Sequence, residues 1–201
     1  MIRIISGRHR GRRLQVPEGR GVRPTTDRVR EALFSMLDHA LQWQDKWVLD
    51  LFSGSGALGL EALSRGARKA WLVEASRKHA SVLKRNLEAL RLEACEAQLV
   101  HARAEAWLPK FRNPEHHICV IFCDPPYESE LYERLLPQVA SSEEIPGGSW
   151  VVVESPETKA FKFPSSLILR REKRYGSIRL QLLEKLRETS PDGEGVVPED
   201  A

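Results

Sequence analysis

Two spacings of apolar residues alternate along most of the chain. Continuous apolar runs have the length of buried strands, and they occupy residues 47–51, 70–74, 97–100, 117–123 and 149–154. The intervening segments carry apolar residues at every third or fourth position, which predicts helices over residues 57–65, 76–91, 105–111 and 131–139. Continuous apolar strands alternating with amphipathic helices are typical of a parallel sheet covered by helices on both faces.

The two ends of the chain follow different patterns. Residues 3–5 and 12–16 alternate arginine with apolar residues around glycines, which predicts a small β-hairpin before a helix with apolar positions from Val29 to Leu41. Residues 167–173 and 177–183 flank a glycine turn and predict an antiparallel hairpin at the end of the sheet. The sequence therefore predicts an α/β fold, with a mostly parallel seven-stranded sheet flanked by helices and a small N-terminal β-hairpin extension.

The 201 residues suit one main domain with two appendages. We predict an extension over residues 1–24, an α/β domain over residues 25–187, and a tail over residues 188–201 whose composition is typical of disorder. No apolar run approaches the roughly 18 residues that a membrane span needs, and the first residues lack the apolar stretch of a signal peptide. We therefore expect a cytoplasmic protein that makes no membrane contact.

Positive charge is concentrated at the start of the chain. Residues 1–30 hold nine arginines, no lysine and two carboxylates, a local net charge of +7 against +3 for the whole chain. Arginine makes bidentate contacts with phosphate and stacks on bases, so this density favours a nucleic-acid partner over a merely solvated face. The candidate contacts are Arg8, Arg10, Arg12, Arg13, Arg20, Arg23 and Arg30.

The first apolar run ends in an acidic, glycine-rich turn. Asp50 closes the run, and the turn then holds Phe52, Ser53, Gly54, Ser55 and Gly56 before the next helix. Ligands bind at the carboxyl ends of parallel strands, where such a turn lets the backbone approach them. The Asp50 carboxylate would repel a pyrophosphate and attract an ammonium group, so the turn is not a dinucleotide site.

Glu74 ends the second apolar run, 18 residues after Gly56, and is followed by Ala75. A carboxylate at this place can accept hydrogen bonds from both hydroxyls of a ribose. By itself it would be an ordinary surface residue, but together with the first turn it indicates a nucleoside-containing ligand.

The most specific motif follows the fourth apolar run and consists of Asp124, Pro125, Pro126 and Tyr127. The prolines fix the backbone and leave carbonyl groups free, so a carboxylate and a carbonyl can both accept hydrogens from one amino group. The tyrosine ring can stack on a base. The pattern predicts that an exocyclic base amine is held for reaction here. Glu154, at the end of the fifth run, could face this site or lie at the sheet edge.

The motifs together resemble a known family. Residues 6–14, 23–34 and 50–56 are similar to those of the bacterial RsmD-type 16S rRNA guanine-N2 methyltransferases, and Asp124 to Tyr127 fit the D/N-P-P-Y/F signature of amino-methylating class I, Rossmann-like methyltransferases. The resemblance covers about residues 2–186. It implies that residues 25–187 form a methyltransferase domain that uses S-adenosyl-L-methionine as cofactor and methylates a guanine N2 of 16S rRNA in an assembling 30S particle.

The resemblance also implies roles for single residues. Asp124, Pro125, Pro126 and Tyr127 would hold the target base, Thr25, Asp27 and Arg30 would lie near cofactor and target, and the N-terminal arginines would bind RNA. Many relatives carry an acidic residue after the third strand that contacts the adenine, whereas this chain has Arg103, so backbone at Arg103 or Ala104 is expected to serve instead. The implied cofactor-binding set is Asp50, Phe52, Ser53, Gly54, Ser55, Gly56, Glu74, Ala75, Arg103, Ala104 and Asp124.

Other functions fit the sequence less well. A DNA adenine or cytosine amino-methyltransferase is compatible with the Asp-Pro-Pro-Tyr motif, but 201 residues leave little room for a DNA-reading module. A non-catalytic RNA-binding assembly factor would not need Asp124 or Glu74. Asp50 disfavours an NAD-dependent oxidoreductase. The histidines form no ligand pattern, so no metal is expected, and no apolar stripe indicates an interface, so we expect a monomer.

Overall fold

The computed structural model describes residues 2–17, 27–113, 115, 117–126, 130–159 and 162–187. A seven-stranded sheet runs through this part of the chain in the order β5-β4-β3-β6-β7-β9-β8, with helices on both faces. The elements are β1 (Ile2–Arg3), β2 (Arg13–Leu14), α1 (Asp27–Asp38), β3 (Trp47–Asp50), α2 (Ala57–Arg65), β4 (Lys69–Glu74), α3 (Arg77–Leu90), β5 (Ala97–His101), α4 (Ala104–Trp107), a 3-10 turn (Leu108–Lys110), β6 (Ile118–Cys123), α5 (Leu131–Ser141), β7 (Trp150–Pro156), β8 (Leu167–Tyr175) and β9 (Ile178–Lys185).

The sheet has the predicted mixture of directions. Strands β3 to β7 pair in parallel, whereas β9 lies antiparallel between β7 and β8. The parallel order runs outward from β3 through β4 to β5, and in the opposite direction from β6 to β7. The order therefore reverses between β3 and β6, and ligands bind at such a switch point in open α/β sheets. The fold prediction is confirmed.

Each face of the sheet has its own core. Ile4, Phe34, Leu60 and Val120 belong to the face covered by α1, α2, α3 and the N-terminal residues. The opposite face packs against α4 and α5. Because every strand of the parallel part is covered on both sides, its apolar residues are continuous rather than alternating. None of the described helices is long and apolar enough to cross a membrane.

Buried polar side chains of the main domain hydrogen-bond to the backbone of the N-terminal hairpin. The carboxylate of Glu61 on α2, fully buried, accepts hydrogen bonds from the backbone N–H groups of Ile5 and Ser6 at 2.7 and 3.0 Å. Asn86 on α3 exchanges two hydrogen bonds with the backbone of Gln15 and donates a third to the carbonyl of Ser55. The hairpin therefore shares the core of the domain. The predicted boundary at residue 24 and the tail after residue 187 lie outside the described residues.

A close approach at Gly7 gives a test of this docking. Gly7 has φ of +80°, and a Cβ atom there would lie 1.7 Å from the carbonyl oxygen of Ser64 on α2. We expect Gly7→Ala to lower the free energy of unfolding by at least about 2 kcal/mol, because strain and a backbone clash act together. Gly11→Ala is the matched control, since Gly11 has φ of +81° but a Cβ atom there would meet nothing within 4 Å. Equal losses in urea unfolding of the two variants would show that the hairpin is not seated on α2.

Candidate active site

A cavity of about 570 Å³ opens at the switch point, above the carboxyl ends of β3, β4 and β6. This volume lies within the range of small-molecule and cofactor sites. Ile2 and Pro17 from the N-terminal segment also line it, although they are distant in sequence from the three strands. The predicted residues that line the cavity are Asp50, Phe52, Ser53, Gly54, Ser55, Glu74, Ala75, Arg103, Ala104, Asp124, Pro125 and Pro126. The structure thus brings together motifs that are spread over residues 50–126 of the sequence.

The glycine turn predicted after β3 is present, and its glycines adopt a left-handed backbone. Gly54 and Gly56 have φ of +53° and +85°, and Gly56 is the N-cap of α2. A Cβ atom at Gly56 would lie 2.5 Å from a methyl carbon of Leu83 on α3. The position therefore requires glycine for conformation and for space, and Gly56 shapes the turn without lining the cavity itself.

The carboxylate of Glu74 fixes the turn from the neighbouring strand. Its Oε2 accepts from the N–H of Gly54 at 2.9 Å, and its Oε1 accepts from the N–H of Ser76 at 2.7 Å. The residue is 9% exposed. Each carboxylate oxygen can accept two hydrogen bonds, so both retain capacity for a ligand hydroxyl. This geometry supports the role predicted for Glu74 at a ribose.

Asp50 is held beneath the turn and is 2% exposed. Its Oδ2 accepts from the N–H of Gly59 at 3.0 Å, and its carbonyl accepts from the Ser53 hydroxyl at 2.8 Å. Burial raises the pKa of the Asp50 carboxyl to about 7, although the hydrogen bond from Gly59 acts in the opposite direction. A positively charged ligand would favour the ionised form of this group.

Asp124 follows β6 directly and is partly buried, with Pro125 buried beside it. Burial, and then the charges of Glu154 and Asp50, raise the pKa of Asp124 well above its usual range. Glu154 is 3% exposed. Val153 on β7 is in register with Cys123, the last residue of β6, so Glu154 lies next to Asp124, which directly follows β6. Of the two positions that the sequence left open for Glu154, the structure therefore shows the buried one beside the site and not one at the sheet edge. Tyr127 lies outside the described residues.

Carboxylate side chains line the cavity at the ends of three strands. Asp50, Glu74 and Asp124 all line it. Carboxylates at the strand ends suit a cationic group of a ligand, whereas Arg30, Arg103 and Arg134 line other parts of the cavity. A ligand that carries an ammonium and a sulfonium group next to a ribose fits this set of acceptors.

The predicted adenine end of the cavity is formed by the segment after β5. Arg103 is the N-cap of α4, and the cavity wall continues through Ala102, Ala104 and Glu105. The backbone N–H groups at the start of a helix have no partner within the helix, so they can donate hydrogen bonds to the edge of a base here. The adenine contact at Arg103 or Ala104 stays a prediction.

The N-terminal arginines differ in exposure. Arg10, Arg12 and Arg13 are exposed on the hairpin, and Arg8, also exposed, pairs with Glu96 at 2.5 Å. Arg30 is fully buried on α1 and lines the cavity. The prediction that Arg30 belongs to an exposed RNA-binding arm is therefore wrong, because charge alone does not tell an inward helix position from an outward one. Its place in the cavity lining agrees with the position near cofactor and target that the resemblance implies. Arg20 and Arg23 lie outside the described residues.

The raised pKa of Asp50 predicts how stability depends on pH. The folded protein holds a proton on this group up to about pH 7, whereas the unfolded chain releases it near pH 4, so the contribution of Asp50 to stability falls as pH rises through this range. Full ionisation corresponds to about 4 kcal/mol. In urea unfolding without ligand, Asp50→Asn should gain stability relative to wild type between pH 5 and pH 8. A difference that stays constant over that range would contradict the assignment.

Comparisons with known proteins place the chain among methyltransferases. The model of the family described as conserved hypothetical protein 95 matches residues 2–184. Ribosomal RNA small subunit methyltransferase D of Escherichia coli is 39% identical over 185 residues, which covers 92% of this chain and 90% of that protein. The Haemophilus influenzae protein of the same name is 34% identical, with 91% and 93% covered. The solved structure of Escherichia coli yhhF, provisionally described as a methyltransferase, matches with a TM-score of 0.80 at 37% identity, covering 93% of this chain and 99% of that one.

Proposed function

The chain belongs to the conserved hypothetical protein 95 family, and on that premise we propose that it is an rRNA methyltransferase that modifies the N2 amine of a guanine in 16S rRNA of an assembling 30S particle. The observation that carries the proposal is the carboxylate-lined cavity at the switch point, with Asp124, Pro125 and Pro126 at its rim. Relatives at 39% and 34% identity named ribosomal RNA small subunit methyltransferase D support rRNA as the substrate class.

S-adenosyl-L-methionine is the cofactor of this site. It supplies an electrophilic methyl group when bound. The Glu74 carboxylate would accept the ribose hydroxyls while it fixes Gly54, and Asp50 would hold the ammonium group of the methionine part. The turn of Phe52, Ser53 and Ser55 would lie against the same part of the ligand.

The target base is held at the rim of the cavity. Asp124 and the carbonyl of Pro125 accept hydrogen bonds from the two N2–H groups, which orients the nitrogen and stabilises the positive charge that develops on it during transfer. A base in a stack cannot reach this position, so the guanine must leave its stack. The proposed stacking surface is the ring of Tyr127.

RNA binding is assigned to the hairpin, where Arg10, Arg12 and Arg13 lie. The hairpin also contributes Ile2 to the cavity wall, so RNA bound along it would pass close to the rim. Contacts of arginine with phosphate position a nucleic acid without reading its sequence. Arg20 and Arg23 are proposed to extend the same surface.

The nucleoside that carries the methyl group tests the proposal. Small-subunit RNA labelled by the enzyme with tritiated S-adenosyl-L-methionine is digested to nucleosides and separated by chromatography. We expect the label in N2-methylguanosine, because the acceptors at Asp124 and Pro125 hold an exocyclic amine. Label on adenine N6, on cytosine N4 or on a ribose hydroxyl would overturn the guanine assignment.

A further inference from the structure

The last two strands hold a second concentration of positive charge. Residues 167–187, which contain β8, β9 and the turn between them, carry seven lysines and arginines and two carboxylates, a local net charge of +5. β8 is the outermost strand of the sheet, and every side chain over residues 169–174 is exposed. These charges are therefore accessible to a partner, and the proposed mechanism gives them no role.

Two of the exposed cations on β8 are unpaired within the part of the chain that the structure describes. Arg170 and Arg174 each lie within 3.1 Å of a carboxylate oxygen. Arg171 and Lys173 form no ion pair with any described residue. They are two positions apart on one strand, so their side chains leave the same face about 7 Å apart. A polyanion can bind both of them without breaking an existing ion pair.

A β-bulge turns these two side chains towards the face of the sheet that carries the N-terminal hairpin. The pairing of β8 with β9 shifts by one residue between Leu169 and Arg171. Beyond the shift, Arg171 pairs with Leu182 and Lys173 with Leu180, and both leucines belong to the core under α1, α2, α3 and the N-terminal residues. Paired residues of adjacent strands share a face. Without the shift, the two cations would lie on the opposite face.

The register of the sheet places Lys173 in one row with the base-holding motif. Lys173 pairs with Leu180 on β9, and Leu180 pairs with Glu154 on β7. Glu154 in turn lies next to Asp124. Adjacent strands are about 4.8 Å apart, so β8 lies about 14 Å from β6 across the sheet. A strand of a few nucleotides spans this distance.

The base-holding motif therefore lies between two basic surfaces. The N-terminal hairpin is seated on α2 and α3, which pack on β3, β4 and β5, whereas β8 forms the opposite edge of the sheet. We propose that Arg171 and Lys173 on β8 bind the phosphate backbone of the RNA on one side of the target guanine, while the N-terminal hairpin binds it on the other side. The proposal rests on the proposed function, since it takes RNA as the substrate. Contacts on both flanks would hold the strand in position while the base leaves its stack.

Charge on an edge strand has another use, because it prevents strands of other molecules from pairing with that edge. Ion-paired side chains and charges of either sign serve this purpose equally well. It does not account for two unpaired cations on the one face that also carries the N-terminal hairpin. The backbone of RNA, with one negative charge per nucleotide, accounts for both the sign and the position of these residues.

The test measures RNA affinity as a function of salt concentration. Binding of 16S rRNA is measured by filter binding on wild type and on the double variant Arg171→Gln/Lys173→Gln. We expect the double variant to bind about 10-fold more weakly, and the slope of log K against log salt concentration to decrease in magnitude by about 1 to 2. In methyl transfer, KM for the RNA should rise while kcat and the affinity for S-adenosyl-L-methionine stay unchanged, because neither residue lines the cavity.

Lys110→Gln/Arg112→Gln is the matched control. These two exposed cations flank Phe111, which belongs to the core of the opposite face, and they precede the start of β6, at the end of the sheet away from the cavity. The control removes the same charge and should bind RNA as wild type does. Equal losses in the two double variants would reflect net charge alone and would overturn the role of β8.

The remaining outcomes separate this proposal from the proposed function. An unchanged affinity and salt slope in the β8 variant, with methyl transfer by wild type, would overturn the role of β8 and leave the methyltransferase assignment intact. Self-association of that variant at unchanged RNA affinity would assign the cations to protection of the sheet edge instead. Weaker RNA binding by the variant, without methyl transfer by wild type, would support the RNA surface while the proposed function fails.

Discussion

Replacing Asp124 with alanine is expected to abolish methyl transfer while leaving the cofactor bound. The variant loses the carboxylate that accepts a hydrogen from the target amine, so the nitrogen is neither oriented nor stabilised as its positive charge grows. Loss of one such preorganised group costs about 10²- to 10³-fold in turnover. Single-turnover transfer of a labelled methyl group to small-subunit RNA measures the loss, and calorimetry with S-adenosyl-L-methionine measures the binding.

Unfolding would not account for this loss. Burial and the charges of Glu154 and Asp50 raise the pKa of Asp124, so the fold disfavours the ionised carboxylate and its removal should not lower the melting temperature. Asp124→Asn is the matched variant, because the amide keeps one acceptor oxygen without the charge, and it should retain more turnover than alanine does. Near-normal turnover in Asp124→Ala would refute the assignment of this motif.

Replacing Glu74 with alanine should cause a large loss of cofactor affinity, whereas Asp124→Ala loses turnover and keeps the cofactor bound. The side chain would accept the ribose hydroxyls, and it also fixes the N–H groups of Gly54 and Ser76. Loss of hydrogen bonds to a charged group, at about 1.5–3 kcal/mol each, corresponds to at least about 10²-fold in affinity. Calorimetric titration with S-adenosyl-L-methionine provides the measurement.

Two variants make the Glu74 result specific. Glu74→Gln keeps one acceptor oxygen and should lose less affinity than alanine, whereas Glu96→Ala removes a carboxylate that pairs with Arg8 outside the cavity and should lose none. Asp124→Ala should spare cofactor binding more than Glu74→Ala does. If Glu74→Ala bound the cofactor as wild type does, the ribose would have to lie elsewhere.

The sheet could be predicted because its strands are buried on both faces and therefore read as continuous apolar runs. The resemblance to the RsmD-type family is confirmed by the family match over residues 2–184 and by the relative that is 39% identical. Where the prediction failed in detail, the causes are local. The helix expected over residues 105–111 is a short α4 followed by a 3-10 turn at Leu108–Lys110, because Pro109 has no N–H to donate to a regular helix. In the N-terminal hairpin, β1 and β2 pair over only two residues each.

The remainder of the site depends on contacts between residues that are far apart in sequence. Ile2 and Pro17 reach the cavity because Glu61 and Asn86 seat the hairpin on α2 and α3, and no spacing in the sequence encodes that docking. The residue pattern around Arg30 is the same as around the exposed arginines, and only the packing of α1 shows that its side chain is buried. The position of Glu154 likewise depends on the register between β6 and β7.

The most direct test of the central claim is the transfer of a tritiated methyl group from S-adenosyl-L-methionine to three substrates in parallel. These are free 16S rRNA, small-subunit particles that lack the modification, and duplex DNA. We predict incorporation into the particles or the rRNA, and none into DNA, because the exposed arginines lie on the hairpin that borders the cavity and the described residues form one α/β domain with that hairpin. Incorporation into DNA alone would contradict the account and make the protein a DNA amino-methyltransferase.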